Sequence, residues 1–137
     1  MASNIDPIYS KVGDVQWTGL ITAANTAKDG TGTVNTVFTS DATNGGFIQK
    51  LRIRPAGTNV ATVLRVFINN GSTNATAGNN SLYDEISIGA TTNSETSAII
   101  GTEIPLNFAL PPGYKINVTL GTAVAGGISV TGVGGKY

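Results

Sequence analysis

The sequence predicts an all-β fold: a two-sheet antiparallel sandwich, jelly-roll-like, with about eight strands. Apolar residues recur with a period of two along most of the chain, which is the period of a half-buried strand. Glycine, asparagine and proline separate these segments, as at Asn44-Gly45 and Asn70-Gly71, where tight turns need positive φ angles. No segment combines a helical period with capping residues, and only residues 21–28 have room for one short helical turn.

The strands follow in chain order from this alternation. The first two, residues 15–21 and 34–39, alternate weakly. The third has Phe47, Leu51 and Ile53 on one face and the cations Lys50, Arg52 and Arg54 on the other. The fourth, residues 63–68, is largely apolar on both faces, so we expect it to be the most buried strand.

The second half of the chain continues the series. The fifth and eighth strands, residues 82–88 and 128–133, alternate weakly. The sixth and seventh alternate regularly, and their apolar positions are Ile104, Leu106, Phe108 and Leu110, then Tyr114, Ile116, Val118 and Leu120. Between them, Pro111, Pro112 and Gly113 predict a turn.

The chain of 137 residues has the usual size of one domain, predicted over residues 13–137. Residues 1–12 are interpreted as an extended N-terminal arm, because Pro7 interrupts them and Ile5, Ile8 and Tyr9 fit no strand pattern. These three apolar residues are candidates for contact with a neighbouring subunit. The alternative is an ordinary strand that covers one sheet edge.

The composition argues against common catalytic chemistry. The chain has no cysteine and no histidine, which excludes thiolate nucleophiles and removes the side chain most used for acid–base work. The only adjacent carboxylates, Asp84 and Glu85, would point to opposite faces of a strand. Residues 29–32 are interpreted as a solvated turn, because no acidic residues recur at calcium-ligand spacing. We predict no catalytic residue, no cofactor and no metal site.

Four cations are candidates for an anion-binding face. Arg52 and Arg54, with Lys50, point to one side of the third strand, and Arg65 would join them if the third and fourth strands pair. The favoured alternative is cross-strand ion pairing with acids whose candidates are Asp84, Glu85 and Glu103. Four cations in a neutral chain do not predict nucleic-acid binding.

The aromatic residues fall into two groups. Trp17 and Tyr114 lie on apolar faces and are predicted to be in the core. Tyr83, on the polar side of its strand, and Tyr137, at the chain end, are candidates for contact with a partner.

Three segments carry a resemblance to a known class: residues 45–55 (GGFIQKLRIRP), 63–71 (VLRVFINNG) and 110–116 (LPPGYKI). Together they resemble small virion structural proteins of tailed bacteriophages. The third is also similar to the entry to a late strand in trimeric jelly rolls, including the tumour-necrosis-factor-like class, phage fibre heads and capsid decoration proteins. The resemblance covers residues 45–137 in general character and implies a homotrimer attached to a capsid or a fibre.

Charge and hydropathy agree with such a setting. The 8 basic and 8 acidic residues give a formal net charge of zero, so little repulsion keeps copies apart. No apolar run approaches the roughly 20 residues of a spanning helix, so no membrane contact is expected. The N-terminus shows no signal peptide, so we expect synthesis in a host cytoplasm and location in the virion.

Three functional hypotheses follow. The first is a capsid decoration protein whose partners are other copies and the major capsid protein or other virion subunits. The second is a glycan- or receptor-binding module at a fibre or tail tip, with residues 69–80 and 90–95 as contact loops. The third is a carboxylate-based hydrolase, which needs two acids that face each other across a cleft.

Overall fold

The computed structural model describes residues 10–137, and these residues contain eight strands, each of which overlaps a predicted one; the first begins and ends earlier than the predicted residues 15–21. The strands are β1 (Val12–Trp17), β2 (Asn35–Thr39), β3 (Gly46–Pro55), β4 (Thr62–Asn69), β5 (Asn80–Ile88), β6 (Thr102–Leu110), β7 (Lys115–Leu120) and β8 (Ile128–Lys136). A single turn of 3-10 helix, Ala77–Asn79, precedes β5. No α-helix occurs in the described part of the chain, so the helical turn considered for residues 21–28 is absent.

The strands form two antiparallel sheets of four strands. Sheet A has the order β1-β8-β3-β6, and sheet B has the order β2-β7-β4-β5. The pairs β1–β8, β2–β7, β3–β6 and β4–β5 are those of one long hairpin folded over on itself. This is the strand order of a jelly roll, and the predicted sandwich is confirmed.

The inner faces of the two sheets share one apolar core. Leu51 and Ile53 of sheet A and Leu64 and Val66 of sheet B are all fully buried within it. The apolar positions predicted for the sixth and seventh strands also face inward, with Phe108 and Tyr114 partly buried against the core. The period-two pattern therefore identifies most of the core residues.

A β-bulge in β3 changes which residues face inward. The register of β3 shifts between Ile48 and Lys50 against both neighbouring strands. Ile48 consequently joins Leu51 in the core, whereas Phe47 is only half-buried. The prediction that Phe47 shares a face with Leu51 is wrong, because an extra residue in a strand breaks the alternation.

Glycine allows β8 to run three residues beyond its predicted end at Val133. β8 lies between β1 and β3, so its backbone has close neighbours on both sides. A Cβ at Gly134 would collide with the carbonyl oxygen of Phe47, and one at Gly132 would meet the Phe38 side chain at 3.2 Å. The absence of side chains at these positions lets the strand pass through the sheet.

The loop of residues 25–34 covers the outer face of sheet B. At one end the Asn25 N–H donates to the carbonyl of Leu120, the last residue of β7 (2.8 Å). Farther along, the carbonyl of Asp29 accepts from the Asn80 side chain at the start of β5 (3.1 Å). The loop therefore crosses β4, which lies between β7 and β5. The outward residues Phe67, Asn117 and Thr119 of this sheet are buried, and we infer from the path of the loop that it covers them.

Asparagine side chains hold this loop in place. Five consecutive carbonyls, those of residues 29–33, all accept hydrogen bonds from asparagine amides. Asn25 donates to the carbonyls of Thr31 (2.9 Å) and Thr33 (2.7 Å). Asn74 donates to those of Gly30 (3.1 Å) and Gly32 (2.7 Å). The polar loop of residues 70–79 is thus tied to the loop that covers sheet B.

The arm candidates Ile5, Ile8 and Tyr9 lie outside the described residues, which begin at Ser10. Val12, the last residue of the segment interpreted as an arm, is already the first residue of β1.

Candidate interaction surface

The outer face of sheet A brings together two of the predicted candidates. In one row across the sheet lie Trp17, Thr131, Arg52 and Glu103, one residue from each strand. The adjacent row contains Val15, Val133, Lys50 and Pro105. Arg54 lies one row beyond Arg52, opposite Ser129. We call the surface formed by Val15, Trp17, Lys50, Arg52 and Arg54 the basic face.

Ion pairing on the basic face is incomplete. Glu103 Oε1 lies 3.2 Å from Lys50 Nζ and 3.4 Å from Arg52 NH1, so one carboxylate serves two cations. Arg54 is exposed and forms no ion pair with any residue of the described chain. The predicted pairing with Glu103 is confirmed, yet the surface keeps a net positive charge.

Trp17 is exposed, and the prediction that it belongs to the core is wrong. The side chain is 67% exposed, and Val15 on the same face of β1 is 52% exposed. Gln16 faces the other way and bonds to β2 of sheet B, donating to the Thr39 carbonyl (2.8 Å) and accepting from the Thr39 N–H (2.9 Å). In β1, Gln16 therefore points toward the other sheet, whereas Val15 and Trp17 point to solvent.

Sequence reasoning missed Val15 and Trp17 as surface residues for this reason. Alternation alone gives two faces of a strand, and burial of the apolar face is the usual assumption. The signal in the sequence is that β1 carries only two large apolar side chains on that face, next to Gly13. The bonds of Gln16, which settle the orientation, connect residues far apart in the chain.

Arg65 does not lie with the other cations, and the hypothesis that it shares their face is wrong. β3 and β4 belong to different sheets, so Arg65 is on the opposite side of the sandwich. Its Nε is 3.3 Å from Glu85 Oε2, an ion pair with the residue opposite it on β5. The side chain is only 13% exposed, and its buried NH1 has no hydrogen-bond partner among the described residues.

The two tyrosine candidates lie apart from the basic face. The Tyr83 ring packs against Phe108 with centroids 5.2 Å apart, which joins the β5 edge of sheet B to the β6 edge of sheet A. Tyr83 stays half-exposed. Tyr137 follows β8, where its N–H donates to the Gly45 carbonyl (3.4 Å). It lies six residues beyond Thr131, about 20 Å along the strand.

Other candidate chemistry finds little support in the geometry. The carbonyls of residues 29–33 are used by asparagine amides, and Asp29 Oδ1 accepts from the Thr31 hydroxyl (2.6 Å). No group of His, Cys, Asp or Glu in the described chain has the arrangement of a metal site. None of the five cavities described for residues 10–137 is lined by a carboxylate. The facing acids that a glycosidase needs are thus absent from these cavities.

One open cavity lies beside the β5–β6 loop, residues 89–101. It has a volume of about 550 Å³, and its lining combines small residues and hydroxyls with the ends of β3 and β5. No charged or aromatic side chain lines it. Among the described residues, no helix has the length and apolar character needed to span a membrane.

Comparisons with known proteins add no assignment. No protein-family model matches the chain, and neither a curated protein nor a solved structure shows significant similarity to it.

Proposed function

We propose that this chain is a non-enzymatic virion structural protein, a capsid decoration protein that stabilises a phage shell by bridging its subunits. The resemblance of residues 45–55, 63–71 and 110–116 supplies the setting. The jelly-roll strand order supports it in part, because viral capsid proteins use this architecture, although lectin domains use it as well.

The observation that carries the proposal is the basic face. Large apolar side chains are exposed there beside cations that a single carboxylate only partly neutralises. Tryptophan and arginine are the residue types that contribute most to binding energy at protein interfaces. Trp17 and Arg52 lie in one row, separated by two strand spacings or about 10 Å. A partner surface can therefore contact both at once.

The mechanism is added buried interface. A contact of standard size, about 1,600 Å² in total, is enough for specific attachment. Each attached copy then raises the free energy needed to separate the subunits it bridges, because its own interfaces must be broken too. This function needs no reacting group, which suits a chain without cysteine or histidine.

The test is co-sedimentation with particles purified from cells that produce this chain. The double variant Trp17→Ala, Arg52→Ala should lose occupancy on the particles at least tenfold, because it removes both anchors from one face. Lys28→Ala, which changes an exposed cation on the other side of the sandwich, is the matched control and should bind as the wild type. Full occupancy of the double variant would contradict attachment through the basic face.

The arm needs a separate experiment. Deletion of residues 1–9 leaves every described strand intact, since β1 begins at Val12. If Ile5, Ile8 and Tyr9 contact a neighbouring subunit, the truncated protein should coat particles at reduced occupancy and with an unchanged unfolding midpoint. Unchanged occupancy would remove the arm from the proposal.

A second candidate, the glycan- or receptor-binding module, is favoured by the cavity beside the β5–β6 loop. Its hydroxyls and neutral lining suit an uncharged sugar more than an anionic one. A glycan array would give signals that Ile100→Asp abolishes, since Ile100 lines the cavity. An array without signals at high protein concentration would leave the decoration protein as the better proposal.

A further inference from the structure

We propose that the basic face binds the edge strand β5 of a second copy, in a head-to-tail contact. This inference rests on the proposed structural role, and it names the subunit that the basic face contacts: a neighbouring copy in the coat rather than the shell protein itself. We identify the occupant from its charge and its exposed apolar residues, which match those of the basic face.

The exposed residues of the β5 edge complement the basic face in charge. Leu82, Tyr83, Asp84 and Glu85 are consecutive and exposed on this edge strand. Asp84 and Glu85 point to opposite faces of the strand, so a partner that lies along the edge meets a carboxylate on either side of it. Asp84 forms no ion pair with any residue in the described range. Glu85 is paired with Arg65, but the Glu85 side chain is 58% exposed whereas the Arg65 side chain is mostly buried. A partner that approaches this edge therefore meets negative charge. We call these four residues the acidic edge.

The two surfaces agree in composition and in size. The basic face offers Val15 and Trp17 beside cations, and the acidic edge offers Leu82 and Tyr83 beside carboxylates. Four consecutive strand residues span about 10 Å, and the Trp17–Arg52 separation across sheet A is also about 10 Å. Opposite charges that meet at an interface steer association and set its orientation.

Contact between identical surfaces is disfavoured by the same charges. Two basic faces would bring Arg52 and Arg54 of both copies together, and two acidic edges would bring carboxylates together. β1, which carries Trp17, and β5 lie at opposite edges of the sandwich, so one copy cannot join its own two surfaces. The contact is therefore heterologous, and such contacts generate closed rings or open chains. A ring of three copies would match the trimer that the resemblance implies.

This arrangement also gives the neutral net charge a role. Basic and acidic residues are equal in number, yet the outer face of sheet A has an excess of cations and the β5 edge has adjacent carboxylates. Such segregation lets copies attract each other at two specific surfaces without net repulsion between whole subunits.

Charge reversal tests the contact, with mass measured by light scattering after size exclusion. The wild type should be oligomeric at low salt and dissociate as salt rises, because the paired charges are exposed. Arg52→Glu and Asp84→Arg should each raise the dissociation constant at least tenfold, and the double variant that carries both should restore association. Lys28→Glu and Glu95→Arg, reversals at other exposed positions, are the matched controls and should not change the mass. Unfolding midpoints verify that each variant is folded.

Three outcomes would overturn the inference: a monomeric wild type, an oligomer that neither reversal weakens, or single-variant defects that the double variant does not repair. Co-sedimentation separates this result from the proposed function. A monomeric wild type that still binds particles through Trp17 and Arg52 would remove the head-to-tail contact and leave the structural role in place. If copies associate but the protein does not bind particles, the head-to-tail contact stands and the proposed structural role is removed.

Discussion

The two outer faces of this sandwich differ in what covers them. On sheet B, the loop of residues 25–34 crosses the strands and is tied to residues 70–80 by asparagine side chains. On the outer face of sheet A, no described loop is held across β1 and β3 by hydrogen bonds, and Trp17 remains exposed. The two sheets have the same number of strands and share one core, so the difference comes from the loops.

Two aromatic residues make this difference concrete. Phe67 points outward from sheet B, opposite Asn117 of β7, and Trp17 points outward from sheet A, opposite Thr131 of β8. Phe67 is fully buried, yet it is not part of the main core cluster. The alternation along a strand determines on which face of the sheet a side chain lies. A covering loop then determines whether an outward side chain is buried or exposed to solvent.

The sharpest test of this comparison truncates both aromatic residues. Phe67→Ala should lower the free energy of unfolding by about 3–5 kcal/mol, as in a true core, because the loop cannot collapse onto the vacated space. Trp17→Ala should change it by less than about 0.5 kcal/mol, the usual range for an exposed position. Urea denaturation of both variants measures the two values.

Similar losses of unfolding free energy in Phe67→Ala and Trp17→Ala would contradict the difference between the two sheets. A cost below about 1 kcal/mol at Phe67 would mean that the loop moves aside and that sheet B is also available for contacts. A large cost at Trp17 would mean that this side chain stabilises the subunit itself.

A smaller effect is expected from the asparagine ties. Asn74→Ala removes the hydrogen bonds to the carbonyls of Gly30 and Gly32, which should lower the free energy of unfolding by about 1–2 kcal/mol. Amide hydrogen exchange should accelerate in residues 26–34 while the strands stay protected. Asn93→Ala is the matched control, because no hydrogen bond of its side-chain amide occurs in the described structure.

Exchange that accelerates equally in Asn74→Ala and Asn93→Ala would show that the loop does not depend on this tie. Faster exchange in β4 of the Asn74→Ala variant would instead show that the loop and the strand beneath it unfold together.

The sequence was sufficient for the strands and most of the core because both follow from local alternation. Leu64 and Val66 are buried where the pattern predicts, and the strong alternation of β6 and β7 is confirmed. The exceptions are residues whose environment depends on distant parts of the chain. Phe47 is turned outward by a bulge, and Trp17 is left exposed by an uncovered sheet.

The candidate surface was only half predictable for the same reason. Arg52 and Arg54 share a face because they are two residues apart on one strand, which a sequence can show. The partition of β3 and β4 between two sheets separates Arg65 from them, and strand order is a property of the whole fold. Trp17 joins Arg52 through a register that crosses β8, the last strand of the chain.

The smallest predicted effect concerns pH and the covering loop. The Thr31 hydroxyl (2.6 Å) and amide (3.1 Å) donate to Asp29 Oδ1, and these bonds hold the pKa of Asp29 below its usual value of 3.8. Because the pKa is lower in the folded protein than in the unfolded chain, the bonds stabilise the loop above the unfolded pKa. This contribution is lost as the pH falls through the folded pKa.

Thr31→Val tests this argument, because it removes the hydroxyl donor and keeps the amide. The pKa of Asp29, followed by the side-chain carboxyl signal in an NMR titration, should rise toward its usual value without reaching it. In the wild type, the protection of residues 26–34 relative to their intrinsic exchange rates should fall only below about pH 4, while the fluorescence of Trp17 on the other face stays constant. A wild-type Asp29 that titrates at its usual pKa would mean that the Thr31 bonds are not maintained in solution. The loop would then be held by the asparagine amides alone.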